Sequence, residues 1–408
     1  MRLLSLTVEN YRNIPFARLE PGRELTVICG DNGQGKTNLL EAVWLLTGGK
    51  SFRGGKDAEL VRRGQPFAIL EGCIEAADGR RDMLRIAVGT PESERPGRTA
   101  KLNGADRGRA ANLAGRFTAV VFDPGHLSLV KGAPEGRRKF LDAALCQLYP
   151  GYLAVYRRYV RTLAQKNALL RKYEYSGRGA ADILDALNAE LAKTGEEIQA
   201  RRRAYLALLA PLAEGNYAEL SGGAETLRVA YAPQFEPGGL AAALQARRAE
   251  ELRAGCALIG PHREDVSLLL DGEPAKVFAS QGQQRSAVLS LKLAEAAAAA
   301  QITGEHPVML LDDVLSELDE GRRRYLLTRM KEKQTFVTSC DDTAFLKTDG
   351  MVYTMAAGVL GCPRPAAPLS CPAQERQDLP PEAAAPVASP QPPECPAGQT
   401  QPAAPAGG

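Results

Sequence analysis

The chain has 408 residues, a formal net charge of +3, eight cysteines and three histidines. This length leaves room for two or three domains and a large core. No stretch reaches the ~18 apolar residues that a membrane helix needs, and the first residues alternate like a strand rather than a signal peptide. The cysteines form no C-x-x-C pair, which argues against a zinc site and favours reduced thiols. A cytoplasmic protein without a membrane anchor is therefore expected.

A complete G-x-x-x-x-G-K-[ST] phosphate-binding loop occupies residues 30–37. The β-branched run 24–29 predicts a buried strand before it, and residues 38–46 predict a helix after it. Glycines let backbone N–H groups surround a β-phosphate, while the helix N-terminus adds positive potential. Lys36 should reach the β- and γ-phosphates, and the Thr37 hydroxyl should ligate Mg²⁺. The residues expected to contact a nucleoside triphosphate are Gly30, Asp31, Asn32, Gly33, Gln34, Gly35, Lys36, Thr37 and Asn38.

The pattern of the chain changes twice after this loop. Short strand-like runs separated by turn residues predict a strand-rich region up to residue 122, at 67–70, 84–88 and 118–122. Residues 134–214 instead predict long helices, with a hairpin turn at 175–179. Strand and helix patterns then return at 226–230, 266–270, 283–300 and 308–311. The helical block therefore interrupts one α/β domain rather than following it.

Charge is unevenly spread along the chain. Residues 137–210 hold 14 Lys and Arg against 7 Asp and Glu, a balance of 14 − 7 = +7 within a total of +3. A locally basic helical segment suggests a polyanionic partner such as DNA. A solvated basic face is the commoner explanation of such a segment, so charge alone leaves both interpretations open.

The last 48 residues, 361–408, contain 13 prolines and long Pro/Ala runs. Such a composition buries too little apolar surface to offset the entropy of ordering. This tail is therefore expected to be disordered.

The apolar run 308–311 ends in two carboxylates, Asp312 and Asp313. A triphosphate site needs such acids on the strand beside the loop. We expect Asp312 to bind Mg²⁺ through its carboxylate, and Asp313 to orient or deprotonate the attacking water. Lys36 and Asp313 are therefore the predicted catalytic residues.

A second anion-binding element is predicted where Ser280 begins the helix that precedes this strand. A serine N-cap with a nearby glycine presents backbone N–H groups to an anion. Ser280, Gly282 and Gln283 are its predicted contact residues. An ordinary helix cap is the alternative interpretation of this segment.

Together these segments resemble the ATP-binding-cassette head of the SMC-like proteins. Ser280, Gly282 and Gln283 match its Ser-Gly-Gly-Gln signature, with Gln281 in place of one glycine. In that superfamily the signature of one subunit closes on the γ-phosphate held by the other. The resemblance also implies a D-loop at 316–319 and a γ-phosphate sensor at 337–339.

Within that superfamily, about residues 1–357 resemble the RecF family of bacterial recombination mediators. The matching segments are 8–13, 30–38, 50–53, 101–104, 129–132, 137–142, 260–265, 280–285 and 310–319. The fold implied is an α/β ABC/SMC-like ATPase head with an inserted helical lever arm. Its expected parts are the first head segment 1–133, the lever arm 134–214, the second head segment 215–360 and the tail 361–408.

The same resemblance implies a DNA-binding ATP switch of recombinational repair and replication restart. ATP and Mg²⁺ would close a homodimer on duplex DNA near single-strand gaps, and slow, DNA-stimulated hydrolysis to ADP and phosphate would release it. RecR and RecO proteins would be partners in recombinase loading, with a link to SOS induction. The expected location is the cytoplasm, in association with the nucleoid.

The sequence departs from the family after residues 121–124, where Gly125 and His126 replace the usual acidic residues. His126 is expected to be a surface residue without a role. The main alternative function is an ATPase subunit that drives a membrane transporter, but it predicts a Gly-Gly signature, an aromatic adenine stacker and no lever arm. A small-molecule kinase would leave the signature segment unexplained.

Overall fold

A computed structural model describes residues 1–173, 179–340 and 350–365, all within the unit Met1–Leu369. The strands are β1 (Arg2–Tyr11), β2 (Ile14–Leu19), β3 (Leu25–Cys29), β4 (Phe67–Glu75), β5 (Arg81–Gly89), β6 (Gly97–Leu102), β7 (Ala105–Arg109), β8 (Ala119–Phe122), β9 (Leu227–Ala232), β10 (Asp265–Leu270), β11 (Glu273–Pro274), β12 (Val308–Asp312), β13 (Thr335–Ser339), β14 (Gly350–Ala356), β15 (Val359–Leu360) and β16 (Arg364–Pro365).

The α-helices are α1 (Lys36–Leu45), α2 (Ser128–Lys131), α3 (Pro134–Leu148), α4 (Tyr152–Arg171), α5 (Ala180–Leu220), α6 (Leu240–Ala246), α7 (Arg248–Ala254), α8 (Ala275–Phe278), α9 (Gln281–Thr303) and α10 (Glu320–Arg329). Within the described ranges, no helix is both long and apolar enough to cross a membrane.

The parallel sheet carries the phosphate-binding loop. Its strands follow the order β14-β3-β13-β12-β8, with β15 and β16 antiparallel to β14. The central strands are buried apolar runs, as expected for a sheet covered on both faces. In register, Cys29 lies opposite Ser339 and Asp312 lies opposite Thr338. The carboxyl ends of β3, β12 and β13 therefore meet at one edge of the sheet.

An antiparallel sheet of six strands, in the order β2-β1-β4-β5-β6-β7, packs beside it. Alternate residues of β4 and β5 are buried, which is the pattern of a sheet with one face on a core. Leu3, Leu70 and Ile86 from this sheet share an apolar core with Trp44 of α1 and Phe336 of the parallel sheet. The antiparallel sheet thus supports the helix that begins at the loop.

The helical block predicted to be a lever arm comprises α3, α4 and α5, and it shares a core with α9 and the small sheet β11-β10-β9. The helix α5 continues to Leu220, six residues past the predicted end of the block, with Pro211 inside it. An ion pair between Arg158 and Glu190 joins α4 to α5. Residues 175–178 of the predicted hairpin turn 175–179 lie outside the described residues.

Several basic side chains of the arm are used inside the fold. Arg202 is 2% exposed and pairs with Asp142 through two hydrogen bonds of 2.9 and 2.8 Å. Lys166 is buried against Glu251, with 2.6 Å between Nζ and Oε2. Arg137 pairs with Asp265 in the same bidentate way. The charge excess seen in the sequence therefore overstates the positive surface of the arm.

The structure confirms the strands predicted around the helical block, which are β4, β5, β8, β9, β10 and β12. The helix after Ser280 begins at Gln281, two residues before its predicted start. The tail was predicted to be disordered from residue 361, but Arg364 lies in a short strand that pairs with Val352 of β14. Residues 366–408, which carry most of that prediction, lie outside the described residues.

Candidate nucleotide-binding site

Three glycines give the loop its shape. Gly30, Gly33 and Gly35 have φ angles of 151°, 79° and 113°, a backbone conformation that residues with a side chain rarely adopt. A Cβ atom on Gly30 would lie 2.2 Å from the carbonyl oxygen of Met355, and one on Gly35 would lie 2.7 Å from Asn13 Oδ1. The glycines at these two positions are therefore required by close packing as well as by backbone geometry.

Lys36 lies at the first turn of α1, and its side chain curls over the loop. Its Nζ donates to the carbonyl oxygens of Gly30 at 2.5 Å and Asp31 at 2.9 Å, and the residue is 7% exposed. The first turn of α1 contains no acidic residue. An ammonium group and an uncompensated helix N-terminus thus converge where an anion can bind.

Gln34 anchors the loop rather than facing outward. Its side-chain Oε1 accepts the N–H of Ala357 at 2.5 Å, and its carbonyl oxygen accepts the N–H of Gly358 at 2.9 Å. The Asn13 amide donates to the same carbonyl at 3.2 Å. The loop is therefore held in place from the turn between β14 and β15.

The remaining loop residues, Asp31, Asn32 and Gly33, are exposed. Asn32 Oδ1 accepts a hydrogen bond of 3.1 Å from Cys340 Sγ, which also lies 3.5 Å from Lys36 Nζ. No sequence motif predicts this thiol at the loop. It is there because Cys340 directly follows β13, whose register with β3 brings that end of the strand to the loop.

Thr37 and Asp312 meet as predicted. The Thr37 hydroxyl donates to Asp312 Oδ1 at 2.8 Å, and the Thr338 hydroxyl donates to the same oxygen at 2.9 Å. Burial raises the pKa of the Asp312 carboxyl, against the opposing effect of these two hydrogen bonds. A buried carboxylate with raised pKa lacks compensating positive charge, which a cation would supply.

A hydroxyl and a carboxylate oxygen fit Mg²⁺, because magnesium in triphosphate sites is held by one or two protein oxygens together with phosphates and water. The described residues contain no cluster of three or more His, Cys, Asp or Glu side chains that could hold a metal ion. A nucleotide would therefore have to supply the other ligands itself. Thr37 and Asp312 are the residues that would hold the ion.

Asp313 adopts a left-handed backbone conformation, with φ of 51°. Its N–H donates to Thr338 Oγ1 at 2.9 Å, and its carboxylate accepts from the Ser316 hydroxyl at 3.1 Å. Backbone strain of this kind in a residue other than glycine is concentrated at functional sites. Asp313 is half-buried next to the Thr37–Asp312 pair, and its role as a base stays a prediction.

Asn38 and Arg53 form a short chain of contacts beside the loop. Asn38 donates to Asn13 Oδ1 at 2.7 Å and accepts from Arg53 Nη1 at 2.7 Å. Both the N–H and the oxygen of the Asn38 amide are thus hydrogen-bonded within the protein. Asn38 would therefore influence a bound nucleotide by positioning Arg53. Arg53 is exposed, and its charge lowers the pKa of Asp312. Arg53 lies in the family-like segment 50–53, but its residue type and position there do not predict a contact near Asp312.

Asp123 is a second acid at this edge of the sheet. It directly follows Phe122, the last residue of β8, which lies opposite Leu311 of β12. Asp123 and Asp312 therefore lie at the ends of neighbouring strands. Burial raises the pKa of Asp123. The charge of Asp123 in turn contributes to the raised pKa of Asp312, which places the two carboxylates within electrostatic reach.

The prediction that His126 is a surface residue is wrong. Its Nδ1 accepts the N–H of Asp123 at 3.0 Å, and burial lowers the pKa of His126 to about 3, with the charge of Lys292 adding to the effect. The ring lines an open pocket between the end of β8, α9 and the segment after β12. His126 is therefore half-buried, and its neutral ring completes the cap of the turn that begins at Asp123.

Ser280 caps α9 as predicted. Its side chain accepts from the Gln283 N–H at 3.3 Å, and its own N–H donates to Gln283 Oε1 at 2.6 Å. The Gln283 amide also donates to Glu225 Oε1 at 2.8 Å. Both ends of the Gln283 side chain are thus engaged within the protein, while Ser280 is exposed.

The predicted D-loop, residues 316–319, lies after β12 and is held by hydrogen bonds to α9 and α10. Arg285 of α9 donates to the carbonyl oxygen of Glu317 at 2.9 Å, and Arg322 of α10 donates to Ser286 Oγ at 2.7 Å. Asp319 caps α10 by accepting the Arg322 N–H at 2.9 Å. Among the described residues, no hydrogen bond or ion pair joins residues 280–283 to the phosphate loop of the same chain.

Comparisons with known proteins agree with this architecture. The family model described as RecF/RecN/SMC N terminal domain matches residues 2–358. The DNA replication and repair protein RecF of Heliobacterium modesticaldum is 41% identical over 373 residues, covering 88% of this chain and 99% of the relative. The chain belongs to the RecF family. The RecF protein of Citrifermentans bemidjiense is 37% identical, with 83% of this chain and 93% of the relative covered.

A solved structure of the recombination mediator protein RecF-ATP in the RecFOR pathway superposes with a TM-score of 0.81 and 32% identity. The match covers 88% of this chain and 96% of that chain. The Smc head domain of Pyrococcus furiosus, with a TM-score of 0.52 and 16% identity over 89% of this chain and 96% of that chain, shares the fold alone. The predicted fold class, an SMC-like ATPase head, is confirmed.

Proposed function

We propose that this RecF-family chain is an ATP-dependent DNA-binding protein of recombinational repair and replication restart. ATP and Mg²⁺ close a homodimer on duplex DNA near single-strand gaps, and slow hydrolysis to ADP and phosphate opens it. The closed dimer recruits RecR and RecO proteins, promotes recombinase loading and contributes to SOS induction.

The observation that carries the nucleotide part of the proposal is the 2.8 Å hydrogen bond between Thr37 and Asp312 beside the Lys36 ammonium. It brings the two expected magnesium ligands together at the mouth of the phosphate loop. Thr37 and Asp312 would hold magnesium there, and the ion would supply positive charge to neutralise the charge that develops on the phosphates during hydrolysis. The relative solved with ATP supports the same ligand for this chain.

Closure in trans is supported by the separation of the two anion-binding elements. Ser280 is exposed at the start of α9, without hydrogen bonds to the phosphate loop of its own chain among the described residues. A phosphate held by a second copy can accept the free Ser280 O–H, whereas Gln283 must first release Glu225. Contact with the γ-phosphate favours the closed dimer with ATP over ADP, and such differential affinity is what lets a ligand switch an equilibrium.

The DNA-binding part is supported by exposed cations that the fold leaves free. Five exposed side chains make no ion pair or hydrogen bond with other described residues. They are Arg161 and Lys193 on the lever arm, Lys101 on β6, and Arg107 and Arg109 on the edge strand β7. Binding through such groups neutralises phosphates and weakens with added salt, largely independently of base sequence.

Sedimentation velocity with nucleotide and DNA tests this function. We expect monomers without nucleotide or with ADP, dimers with Mg²⁺ and ATP, and tighter dimers with gapped duplex DNA. Lys193→Ala removes one exposed cation of the arm, so it should form the same dimer with Mg²⁺ and ATP as the wild type but gain less from added DNA. Monomers under every condition, or ATP turnover that ignores DNA, would contradict the proposal and favour a subunit that drives another partner, such as a membrane transporter.

A further inference from the structure

Two large apolar side chains are exposed next to Ser280. Val277 is 69% exposed and Phe278 is 66% exposed, at the end of the short helix α8. The helix is attached to the protein through Ala275, which is 1% exposed. Exposed apolar side chains that stand together mark interaction sites more often than scattered ones do. The signature segment therefore carries an uncovered apolar pair on its rim.

A second exposed apolar pair lies beside the phosphate loop. Phe16 of β2 is 57% exposed and Val359 of β15 is 56% exposed. Gly358, the neighbour of Val359, donates to the Gln34 carbonyl, and Asn13, just before β2, donates to the same atom. Both apolar residues thus stand within three positions of groups that hold the loop.

The two rims also carry opposite charges. Lys276 is exposed next to Val277, and Asp31 is exposed within the loop. In the part of the chain that the structure describes, neither side chain has an ion-pair partner. If the two sides meet between copies, Lys276 of one copy can pair with Asp31 of the other beside the two apolar pairs.

We propose that Val277 and Phe278 of one copy pack on Phe16 and Val359 of a second copy when ATP closes the dimer. This inference rests on the proposed function, in which the signature of one copy meets the loop of the other. A two-fold axis then forms each contact twice, as isologous interfaces require. Aromatic anchors such as Phe278 are enriched among the few residues that dominate interface energies.

Substitution of the two aromatic residues tests the seam. We expect Phe278→Ser and Phe16→Ser each to weaken ATP-dependent dimerisation at least about tenfold, because each removes an aromatic side chain that the dimer would bury. ATP binding to the separate chains should stay within about twofold, because neither residue touches the phosphate contacts. Ile183→Ser is the matched control, since Ile183 is equally exposed, at 55%, but lies on the lever arm.

The double variant Phe16→Ser with Phe278→Ser should weaken the dimer by less than the product of the single effects, since contacting residues couple. In addition, p-benzoylphenylalanine at position 278 should crosslink, with ATP only, to residues 14–19 or 359–360 of another copy. Dimerisation as tight as in the wild type, independent effects, or crosslinks elsewhere would overturn the seam while leaving the dimer itself intact. A wild-type chain that stays monomeric with ATP would overturn the proposed function and the seam together.

Discussion

The Thr37 hydroxyl donates a 2.8 Å hydrogen bond to Asp312 Oδ1 across 275 positions of sequence. The contact exists because β3 and β12 are both neighbours of β13 in the parallel sheet. Their carboxyl ends therefore open at the same edge, where the loop after β3 and the acids after β12 meet. This edge is where ligands bind in open α/β sheets.

Removal of the Lys36 ammonium should abolish most nucleotide affinity. Lys36→Ala or Lys36→Met removes a charge-assisted phosphate contact, which should cost about 2–3 kcal/mol, or ~30–150-fold in affinity. Equilibrium dialysis with ATP measures this loss, and Lys193→Ala is the control. Circular dichroism should show an intact fold. ATP affinity within a few-fold of the wild type would mean that residues 30–37 do not form the phosphate site.

Asp312 and Asp313 should give different phenotypes. Asp313→Asn is expected to bind ATP and dimerise but to hydrolyse about 100-fold or more slowly, because loss of a general base typically costs 10²–10⁴-fold. The closed dimer should then persist on DNA. Asp312→Asn should instead weaken the Mg²⁺-dependent binding of ATP. Nucleotide binding and single-turnover hydrolysis, measured on both variants, separate the two roles. If the two phenotypes were reversed, the metal ligand and the base would each be assigned one residue out of place.

The sequence was sufficient to predict the loop, its flanking elements and the pairing of Thr37 with Asp312. These features depend on local patterns, a glycine spacing and an apolar run that ends in acids, which constrain the backbone strongly. Parallel strands then bring the carboxyl ends together. Such signals act over a few residues or follow directly from sheet topology.

Other features depend on which side chains meet in three dimensions, and the sequence did not reveal them. Arg53 and Asp123 lie in the family-like segments 50–53 and 121–124, but neither segment predicted that its charge reaches Asp312. His126 looked like a surface residue because nothing local indicates that its ring is half-buried against Asp123. The basic arm likewise looked more positive than it is, since Lys166 and Arg137 pair with Glu251 and Asp265, which lie outside the counted residues 137–210.

The metal-free protein should be stabilised by Asp312→Asn at neutral pH. Burial raises the pKa of Asp312, so this group favours the folded state at pH below its unfolded pKa, and that contribution is lost as pH rises through the folded pKa. The variant should therefore melt at a higher temperature than the wild type near pH 7, and the difference should shrink near pH 4. Added Mg²⁺ and ATP should raise the melting temperature of the wild type only.

Asp319→Asn provides the matched control for this measurement. A hydrogen bond from the Arg322 backbone lowers the pKa of Asp319, so its carboxylate favours the folded state above the unfolded pKa, and that contribution is lost as pH falls through the folded pKa. Its replacement should not raise the melting temperature near pH 7. If both variants behaved alike, burial of the Asp312 charge would not explain the stability change.

The pair of Arg202 and Asp142 should dominate the stability of the lever arm. Burial lowers and Asp142 raises the pKa of Arg202, and the net direction is upward. Asp142→Asn removes the bidentate carboxylate partner of the buried guanidinium and leaves only Glu264, 3.6 Å away, as an ion-pair partner. The loss should cost about 3 kcal/mol in the free energy of unfolding. Urea denaturation measures the loss. Glu135→Gln, which removes an exposed pair with Lys139 on the same helix, should have little effect.

A test of closure in trans follows from the position of Ser280. By the family resemblance, this residue serves the nucleotide of the second copy, and it makes no contact with Lys36 of its own chain. Ser280→Arg places bulk and charge at the γ-phosphate contact without changing the chain's own loop. We expect near-normal ATP binding, no ATP-dependent dimer and no DNA-stimulated hydrolysis. Lys36→Met should lack turnover for the opposite reason, because its loop cannot bind ATP.

A mixture of the two variants is the decisive measurement. One composite site of the mixed dimer combines the intact loop of the Ser280→Arg chain with the intact signature of the Lys36→Met chain. The other site carries both defects. Turnover should therefore appear in the mixture, at no more than about half the wild-type rate per dimer, although each variant alone is inactive. This recovery requires the loop and the signature to come from different copies. Ordinary hydrolysis and dimerisation by Ser280→Arg alone would instead mean that each chain completes its own site.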